Sequence, residues 1–283
     1  MSFGQSIPSS RSASLIGAAR ALMFLGLCAL LVPLQLAVNI TCSKKPFRVL
    51  LIFYRCLLHV LGFRVRAHGA VAGGSPILFV ANHTSYLDII VLGALLPAYF
   101  VAKSEVADWW LIGFLAKLQN TAFIERQARH VNQQKNSLSA RLTRGESLIL
   151  FPEGTSTDGM RVLPFKSSLF SLAEQVPSEL GLQVQPVSLV CTGLNGLPLT
   201  RDLRPLYSWF GDMTLQGHLW NMFKHGRFTI DVIFHPPVSP QAFPDRKALA
   251  AYCHEQVARG MERCLTGRPM AAGRDVMKRT ATA

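Results

Sequence analysis

A histidine and an aspartate five residues apart could perform acid–base chemistry in the run N-H-T-S-Y-L-D at residues 82–88. The run follows an apolar segment, and Ser85 and Asp88 have the spacing of a capping box that opens a helix. A side chain in the first helical turn points back toward the N-terminus, so Asp88 is expected to reach the imidazole of His83. A carboxylate on one ring nitrogen leaves the other free to accept a proton. The motif therefore predicts a general base, with a simple helix cap as the structural alternative.

Three further polar features follow short apolar runs. The run F-P-E-G-T-S-T-D-G at residues 151–159 combines glycines with small hydroxyl residues, which permits a close approach to backbone N–H groups. Lys103 and Arg126 each come at the end of an apolar run, where a basic side chain would suit an anionic head group. Each feature alone is more often a turn or a solvated charge, so only their combination predicts a site.

The elements that must position these residues alternate between strands and helices. Runs of strand length occur at residues 76–81, 99–102, 121–124, 147–151, 184–190 and 228–234. Helical patterns lie near residues 85–96, 106–117, 128–143, 167–176 and 246–264. This alternation predicts an α/β fold with a mostly parallel central sheet flanked by helices. Residues 203–222 are rich in aromatic side chains and fit no simple period, so they are either a lipid-facing flap or irregular core.

The N-terminal region has the composition of a membrane anchor. Residues 21–43 carry no charge and are long enough to cross a bilayer, although Pro33 is expected to kink them. Residues 46–63 mix basic and apolar side chains, which predicts an amphipathic helix at the membrane interface. Eight basic residues and no acidic residue precede Asp88, a pattern typical of contact with anionic lipid. Spanning and one-leaflet anchors remain alternatives.

Composition narrows the functional class. Charged residues make up only 16 % of the 283 residues, which indicates that part of the chain contacts lipid. The net charge of +13 would also suit a nucleic-acid binder, but here the basic residues alternate with aliphatic ones, and no nucleic-acid partner is expected. The six cysteines form no C-x-x-C pair, so we expect free thiols and no metal site.

Taken in order, the motifs resemble those of the 1-acylglycerol-3-phosphate O-acyltransferase family of glycerolipid acyltransferases. The shared set is N-H-x-x-x-x-D, F-I-x-R at residues 123–126, F-P-E-G-T, and V-Q-P-V at residues 184–187. The resemblance covers roughly residues 60–240. It implies that His83 and Asp88 are the catalytic dyad. It further implies binding of the acceptor phosphate by Lys103 and Arg126, and of the acceptor by the loop that contains Glu153, Gly154 and Thr155.

The chain departs from the family pattern after the third motif. The family often continues E-G-T with Arg-Ser, whereas Ser156 follows here, so one expected phosphate-binding charge is missing. Lys166, in a position where the family commonly has F-K, is expected to compensate. The run Y-S-W-F-G-D-M at residues 207–213 also resembles bacterial members that acylate lyso-ornithine lipid, an acceptor with a carboxylate and an amine in place of the phosphate.

The sequence thus predicts an enzyme that moves a fatty acyl group from acyl-CoA or acyl carrier protein to a lysophospholipid hydroxyl. The favoured acceptor is 1-acylglycerol-3-phosphate, with lyso-ornithine lipid as the alternative and a non-catalytic lipid-binding protein as the rival class. No cofactor is expected. The expected location is the cytoplasmic face of a bacterial inner membrane. The predicted regions are residues 1–63 as tail and anchoring helices, residues 64–266 as the acyltransferase domain, and residues 267–283 as a basic disordered tail.

Overall fold

The computed structural model describes residues 11–41, 47–74, 76–124, 131–268 and 274–276. Its helices are α1 (Arg11–Thr41), α2 (Phe47–Leu61), α3 (Leu87–Leu95), α4 (Trp110–Leu118), α5 (Val131–Thr143), α6 (Ser171–Glu174), α7 (Leu215–His225) and α8 (Arg246–Leu265). Its strands are β1 (Arg64–His68), β2 (Ile77–Ala81), β3 (Tyr99–Lys103), β4 (Ala122–Ile124), β5 (Leu148–Leu150), β6 (Gln183–Leu194), β7 (Leu197–Pro198), β8 (Phe228–Phe234) and β9 (Arg274–Asp275).

The strands form one mixed sheet in the order β4-β3-β5-β2-β6-β8-β1-β9, with β7 paired to β6. The pairs from β4 to β6 along this order are parallel, as is β1 with β8, whereas β6 pairs antiparallel with β8. The predicted fold class is therefore confirmed. Because β2, β3 and β5 run in parallel, their carboxyl ends meet at one edge, and His83, Lys103 and Glu153 lie at or just after those ends.

The centre of the sheet is buried on both faces, which explains why its strands are continuous apolar runs. All five residues of β2 are buried. Its alternate side chains enter two core clusters, with Phe79 in one and Leu78 and Val80 in the other. Helices α2, α3 and α7 contribute to the first cluster, and α5, α6 and α8 to the second. The result is a three-layer arrangement of helices, sheet and helices.

Helix α2 differs from the predicted interfacial helix. Its apolar face packs on α3 and contributes Tyr54, Leu57, Leu58 and Leu61 to the main core cluster. Amphipathicity identified the helix correctly, but a periodic apolar face does not distinguish a protein core from lipid. The structural domain that carries the site therefore begins before residue 64.

Three other local features differ from the sequence-based prediction. Strand β1 was not predicted, because its sequence R-V-R-A-H interrupts the apolar pattern with basic residues. The predicted helix at residues 167–176 is a short 3₁₀ turn followed by the four-residue α6. Within the predicted C-terminal tail, β9 pairs antiparallel with β1, so these two residues belong to the sheet.

Candidate active site

The loop between β2 and α3 begins with an asparagine that binds a neighbouring strand. The Asn82 amide donates to the Leu189 carbonyl of β6 and accepts from the Leu189 N–H, both at 2.8 Å. Asn82 is 1 % exposed, so neither of these hydrogen bonds competes with water. This pair of bonds fixes the point at which the chain leaves the sheet, immediately before His83.

The Asp88 carboxylate organises the loop that follows. It is fully buried in the first turn of α3, and its Oδ2 accepts from the Thr84 N–H at 2.7 Å and the Ser85 N–H at 3.0 Å. The same Oδ2 lies 3.0 Å from His83 Nδ1. The Ser85 hydroxyl in turn accepts from the Leu87 N–H at 3.3 Å. One carboxylate thus both holds the loop that precedes α3 and contacts the histidine.

His83 is oriented for proton transfer by this contact. A carboxylate is an acceptor only, so Nδ1 carries the hydrogen and Nε2 presents a lone pair. Among the described residues, none makes a hydrogen bond to Nε2. The ring stacks on Phe151 with centroids 4.3 Å apart, and its side chain is 21 % exposed. The geometry supplies an oriented base next to open space.

The loop that follows β5 holds the backbone of His83 from the other side. Glu153 Oε1 accepts from the His83 N–H at 2.7 Å, and the His83 carbonyl accepts from the Thr157 N–H at 3.0 Å. Glu153 Oε2 accepts from the Leu163 N–H at 2.8 Å. Burial raises the pKa of Glu153 to about 7, although both N–H donors oppose this shift. Glu153 is only 3 % exposed and is not among the residues that line the cavity described below; its carboxylate holds two loops together.

Gly154 turns this loop with a φ of +69°. A Cβ at this position would lie 2.5 Å from Lys166 Nζ, so the lysine side chain lies directly against the glycine. The Gly154 N–H is bonded to the Phe151 carbonyl at 3.1 Å. By contrast, the N–H groups of Thr155 and Ser156 have no acceptor in the part of the chain that the structure describes, and both residues line the cavity.

Residues 207–209 form a third segment that is hydrogen-bonded to both of these loops. The sequence analysis did not assign this segment to the site. Tyr207 donates its hydroxyl hydrogen to Asp88 Oδ1 at 3.0 Å, and the Trp209 N–H donates to the Thr84 carbonyl at 3.0 Å. The Ser208 hydroxyl donates to the Asp158 carbonyl at 3.1 Å. Residues 203–222, which were predicted as either flap or irregular core, thus pack against the candidate dyad.

His83 opens onto an apolar cavity of about 540 Å³. Its wall combines aromatic and aliphatic side chains from α2, α3, α4 and α7, together with Phe24 of α1. The end of β3, the 3₁₀ turn that follows it and the loop after β5 contribute the polar side of the wall, including Lys103 and Glu105. A cavity of this size and lining can hold an alkyl chain beside the base.

Some of the predicted site residues line this cavity and others do not. His83, Lys103, Gly154 and Thr155 line it. Lys166 is exposed and touches Gly154 from outside the wall. Arg126 lies outside the described residues.

Comparison with known proteins gives the family. The sequence profile described as Acyltransferase matches residues 63–190. A lyso-ornithine lipid O-acyltransferase from Brucella abortus is 42 % identical over 220 residues, which cover 76 % of this chain and 82 % of that protein.

The chain belongs to the acyltransferase family.

Two further proteins are similar to this acyltransferase, one in sequence and one in structure. A 1-acyl-sn-glycerol-3-phosphate acyltransferase from Neisseria gonorrhoeae is 31 % identical over 182 residues, which cover 64 % of this chain and 68 % of that protein. The crystal structure of the 1-acyl-sn-glycerophosphate acyltransferase PlsC from Thermotoga maritima superposes with a TM-score of 0.64 at 21 % identity, covering 92 % of this chain and all of that one. The second match shows that the acyltransferase shares the PlsC fold. The predictions of enzyme class and family are confirmed.

Helix α1 of the acyltransferase is long and apolar enough to cross a membrane, judged by length and composition. It nevertheless packs along the domain. Arg20 donates to the Phe223 carbonyl near the end of α7 at 2.9 Å, and Asn39 donates to the Leu118 carbonyl at the end of α4 at 2.8 Å. Its outward face carries exposed apolar side chains, among them Leu22, Leu25 and Leu30.

Proposed function

We propose that the acyltransferase moves a fatty acyl group from acyl-CoA or acyl carrier protein to the free hydroxyl of a lysolipid, with lyso-ornithine lipid as the acceptor. The observation that carries the reaction is the His83 Nδ1 contact with the buried Asp88 carboxylate beside the 540 Å³ apolar cavity. A fixed base next to a chain-binding cavity is what acyl transfer to a lipid hydroxyl requires.

In the proposed reaction, His83 Nε2 takes the proton of the acceptor hydroxyl as that oxygen attacks the thioester carbonyl. The tetrahedral intermediate then collapses to the new ester and expels the thiolate, which receives the proton back from the imidazolium. Positioned base catalysis of this kind contributes about 10²–10⁴ in rate. The proposed reaction needs no enzyme nucleophile and no cofactor, because the acceptor provides the attacking oxygen.

The N–H groups of Thr155 and Ser156 are the proposed donors to the developing oxyanion. Both residues line the cavity beside His83, and neither N–H is used within the described chain. Donors that are free before reaction can bind the oxyanion without first breaking another bond. The Gly154 N–H is a weaker candidate, since the Phe151 carbonyl already accepts from it.

The choice of acceptor rests on similarity and on charge. The relative from Brucella abortus is named for lyso-ornithine lipid and is 42 % identical, compared with 31 % for the relative named for 1-acylglycerol-3-phosphate. Lys103 and Glu105 both line the cavity, so its polar side offers opposite charges that suit a head group with a carboxylate and an amine. The second candidate, 1-acylglycerol-3-phosphate, is favoured by the basic side chains of Lys103, Lys166 and Arg126.

A competition assay tests this proposal. Purified enzyme in detergent receives equal amounts of lyso-ornithine lipid and 1-acylglycerol-3-phosphate together with an acyl-CoA or acyl carrier protein donor, and mass spectrometry identifies the products. We expect the acylated ornithine lipid to form faster. Preferential formation of phosphatidic acid would select the second acceptor. Absence of any acylated product with both donors would contradict acyl transfer to lysolipids.

We further propose that the enzyme binds one leaflet at the cytoplasmic face, where the thioester donors are made. Helix α1 is held to the domain by Arg20 and Asn39, residues almost twenty positions apart, so its apolar outer face can enter a leaflet while its inner face stays on the protein. Flotation with anionic vesicles tests this. Replacing Leu22, Leu25 and Leu30 together by Gln should abolish flotation, whereas Leu180→Gln in the 3₁₀ turn before β6 should not. Unchanged flotation of the triple variant would contradict the assignment.

A further inference from the structure

The Tyr207 hydroxyl donates to the Asp88 carboxylate, and core packing alone does not require this hydrogen bond. We propose that Tyr207 is a positioning residue for the reaction, which holds Asp88 in the orientation that sets His83. The proposal rests on the proposed role of His83 as base.

The argument begins with the hydrogen bonds of the Asp88 carboxylate. Three donors share Oδ2, namely the Thr84 and Ser85 N–H groups and His83 Nδ1. Oδ1 has one donor within the described ranges, the Tyr207 hydroxyl at 3.0 Å. Asp88 is 0 % exposed, so water cannot replace that donor. Without Tyr207, one oxygen of a buried carboxylate has no hydrogen bond.

Bonds at both oxygens fix the plane of the carboxylate. Rotation about the Cβ–Cγ bond moves both oxygens together, so the three donors at Oδ2 oppose it. The bond at Oδ1 adds a restraint on the second oxygen. Tyr207 therefore keeps Oδ2 facing Nδ1, and with it the imidazole orientation that leaves Nε2 toward the cavity.

The surroundings of Tyr207 give it a fixed position and a fixed protonation state. The side chain is 0 % exposed and packs against Phe63 and Phe228, with ring centroids 6.1 Å and 5.6 Å away. Burial raises the pKa of Tyr207 well above its ordinary value, and the nearby Asp88 carboxylate acts in the same direction, so the hydroxyl keeps its hydrogen. Burial also raises the pKa of Cys191 and of Tyr86, two titratable groups that act on Tyr207, so both stay neutral.

The backbone around Tyr207 is tied to the same loops. The Tyr207 N–H donates to the Arg204 carbonyl at 2.9 Å at the end of the 3₁₀ helix Arg201–Leu206, and the next two residues bond to Asp158 and Thr84. The phenol thus approaches Asp88 from a segment that is itself anchored on both sides of the site. A residue that only filled the core would not need its hydroxyl aimed at the catalytic carboxylate.

The test compares Tyr207→Phe with Ser188→Ala in the full-length enzyme in detergent. Phenylalanine keeps the ring and its packing while removing the donor. Ser188→Ala also removes a fully buried hydroxyl, one that bonds the Val257 carbonyl at 2.9 Å and lies outside the site, so it controls for loss of stability. Circular dichroism and thermal melts check that both variants are folded.

For Tyr207→Phe we expect kcat to fall about 10- to 100-fold with little change in KM. We also expect the acidic limb of the kcat/KM profile to move to higher pH, because a carboxylate with fewer donors holds the imidazolium more strongly. In an Asp88→Asn background the same change should cost less than about 3-fold, since its effect passes through Asp88. Ser188→Ala should leave the pH profile unchanged.

Wild-type kcat and an unchanged pH profile in folded Tyr207→Phe would overturn the inference. An equal loss in the wild-type and Asp88→Asn backgrounds would also overturn it, because Tyr207 would then act independently of the carboxylate. His83→Ala separates this failure from failure of the proposed function. If His83→Ala is inactive while Tyr207→Phe has normal activity, the proposed role of His83 as base stands. Only the proposed role of Tyr207 is then rejected.

Discussion

The described part of the protein contains two close histidine–aspartate pairs whose surroundings differ. His83 Nδ1 lies 3.0 Å from Asp88, and His68 Nε2 lies 2.7 Å from Asp231. Both carboxylates are buried. Distance and burial therefore do not distinguish a candidate catalytic pair from a structural one.

The partners of the carboxylate and the space beside the imidazole do distinguish them. Asp231 is also bound by Nε and Nη2 of Arg66 and by the Thr192 hydroxyl. Burial opposes ionisation of Asp231, but these hydrogen bonds outweigh it and lower its pKa. Within the described ranges Asp88 has no arginine among its partners, so its charge remains available to an imidazolium. His83 lines the apolar cavity, whereas His68 lies on strand β1 and is not part of that wall.

The largest expected effect separates the two histidines. His83→Ala should reduce kcat by about 10²–10⁴ because it removes the proposed base. His68→Ala should keep kcat near the wild-type value, since its partner Asp231 is already neutralised by Arg66. Steady-state kinetics on purified variants with matched melting curves measures both. Comparable losses in the two variants would remove the distinction between the pairs.

Substitution of Asp88 should change mainly the rate of the reaction, whereas substitution of Asp231 should change mainly the stability of the fold. Asp88→Asn should lower kcat, though less than loss of His83, because the imidazole remains but its preferred tautomer is lost. Asp231→Asn should instead lower the free energy of unfolding by about 1–3 kcal/mol, because Arg66, which is partly exposed to solvent, loses its buried ionic partner. Parallel kinetics and chemical denaturation measure the two effects. A stability loss without a kinetic loss in Asp88→Asn would assign that residue to capping alone.

Glu153 and Asp231 should give opposite dependences of stability on pH. The pKa of Glu153 is raised from 4.5 to about 7, so the folded state binds more protons between these values and stability falls as the pH rises through them. The loss is at most about 3 kcal/mol. Asp231, with a lowered pKa, stabilises the fold above its unfolded pKa and loses that contribution on acidification. Denaturation of Glu153→Gln at pH 5 and pH 7 should show the loss of the neutral-range slope, and persistence of that slope would assign it to another group.

The smallest expected effect concerns two basic residues. Lys103→Ala should raise the KM for the acceptor about 10-fold, the equivalent of one charged hydrogen bond, while leaving the KM for the donor unchanged. Arg66→Ala should change neither KM, because its guanidinium is committed to Asp231. Initial-rate measurements with each substrate varied in turn give both values. A larger effect of Lys103→Ala on the donor would place the thioester carrier, and not the head group, beside β3.

The features that sequence reasoning predicted are those encoded within short segments. Strand β2 is a continuous apolar run, and the five-residue spacing of His83 and Asp88 places one on the loop and the other in the first helical turn. Tyr207 was not predicted as part of the site because its partner Asp88 is 119 positions earlier in the chain. Glu153 was predicted to contact the acceptor, whereas its carboxylate turns inward to backbone N–H groups whose positions depend on the folded loops. The sequence of α2 does not show whether its apolar face contacts lipid or the protein core, because both favour apolar side chains. The structure shows that this face packs in the core.

Helix α1 forms part of the cavity as well as the surface that faces a membrane. Phe24, on the inner face of α1, forms part of the cavity wall and packs against Phe223 of α7. Phe24 thus links the membrane-facing helix to the wall beside His83, so displacing α1 from the domain would open the cavity to water.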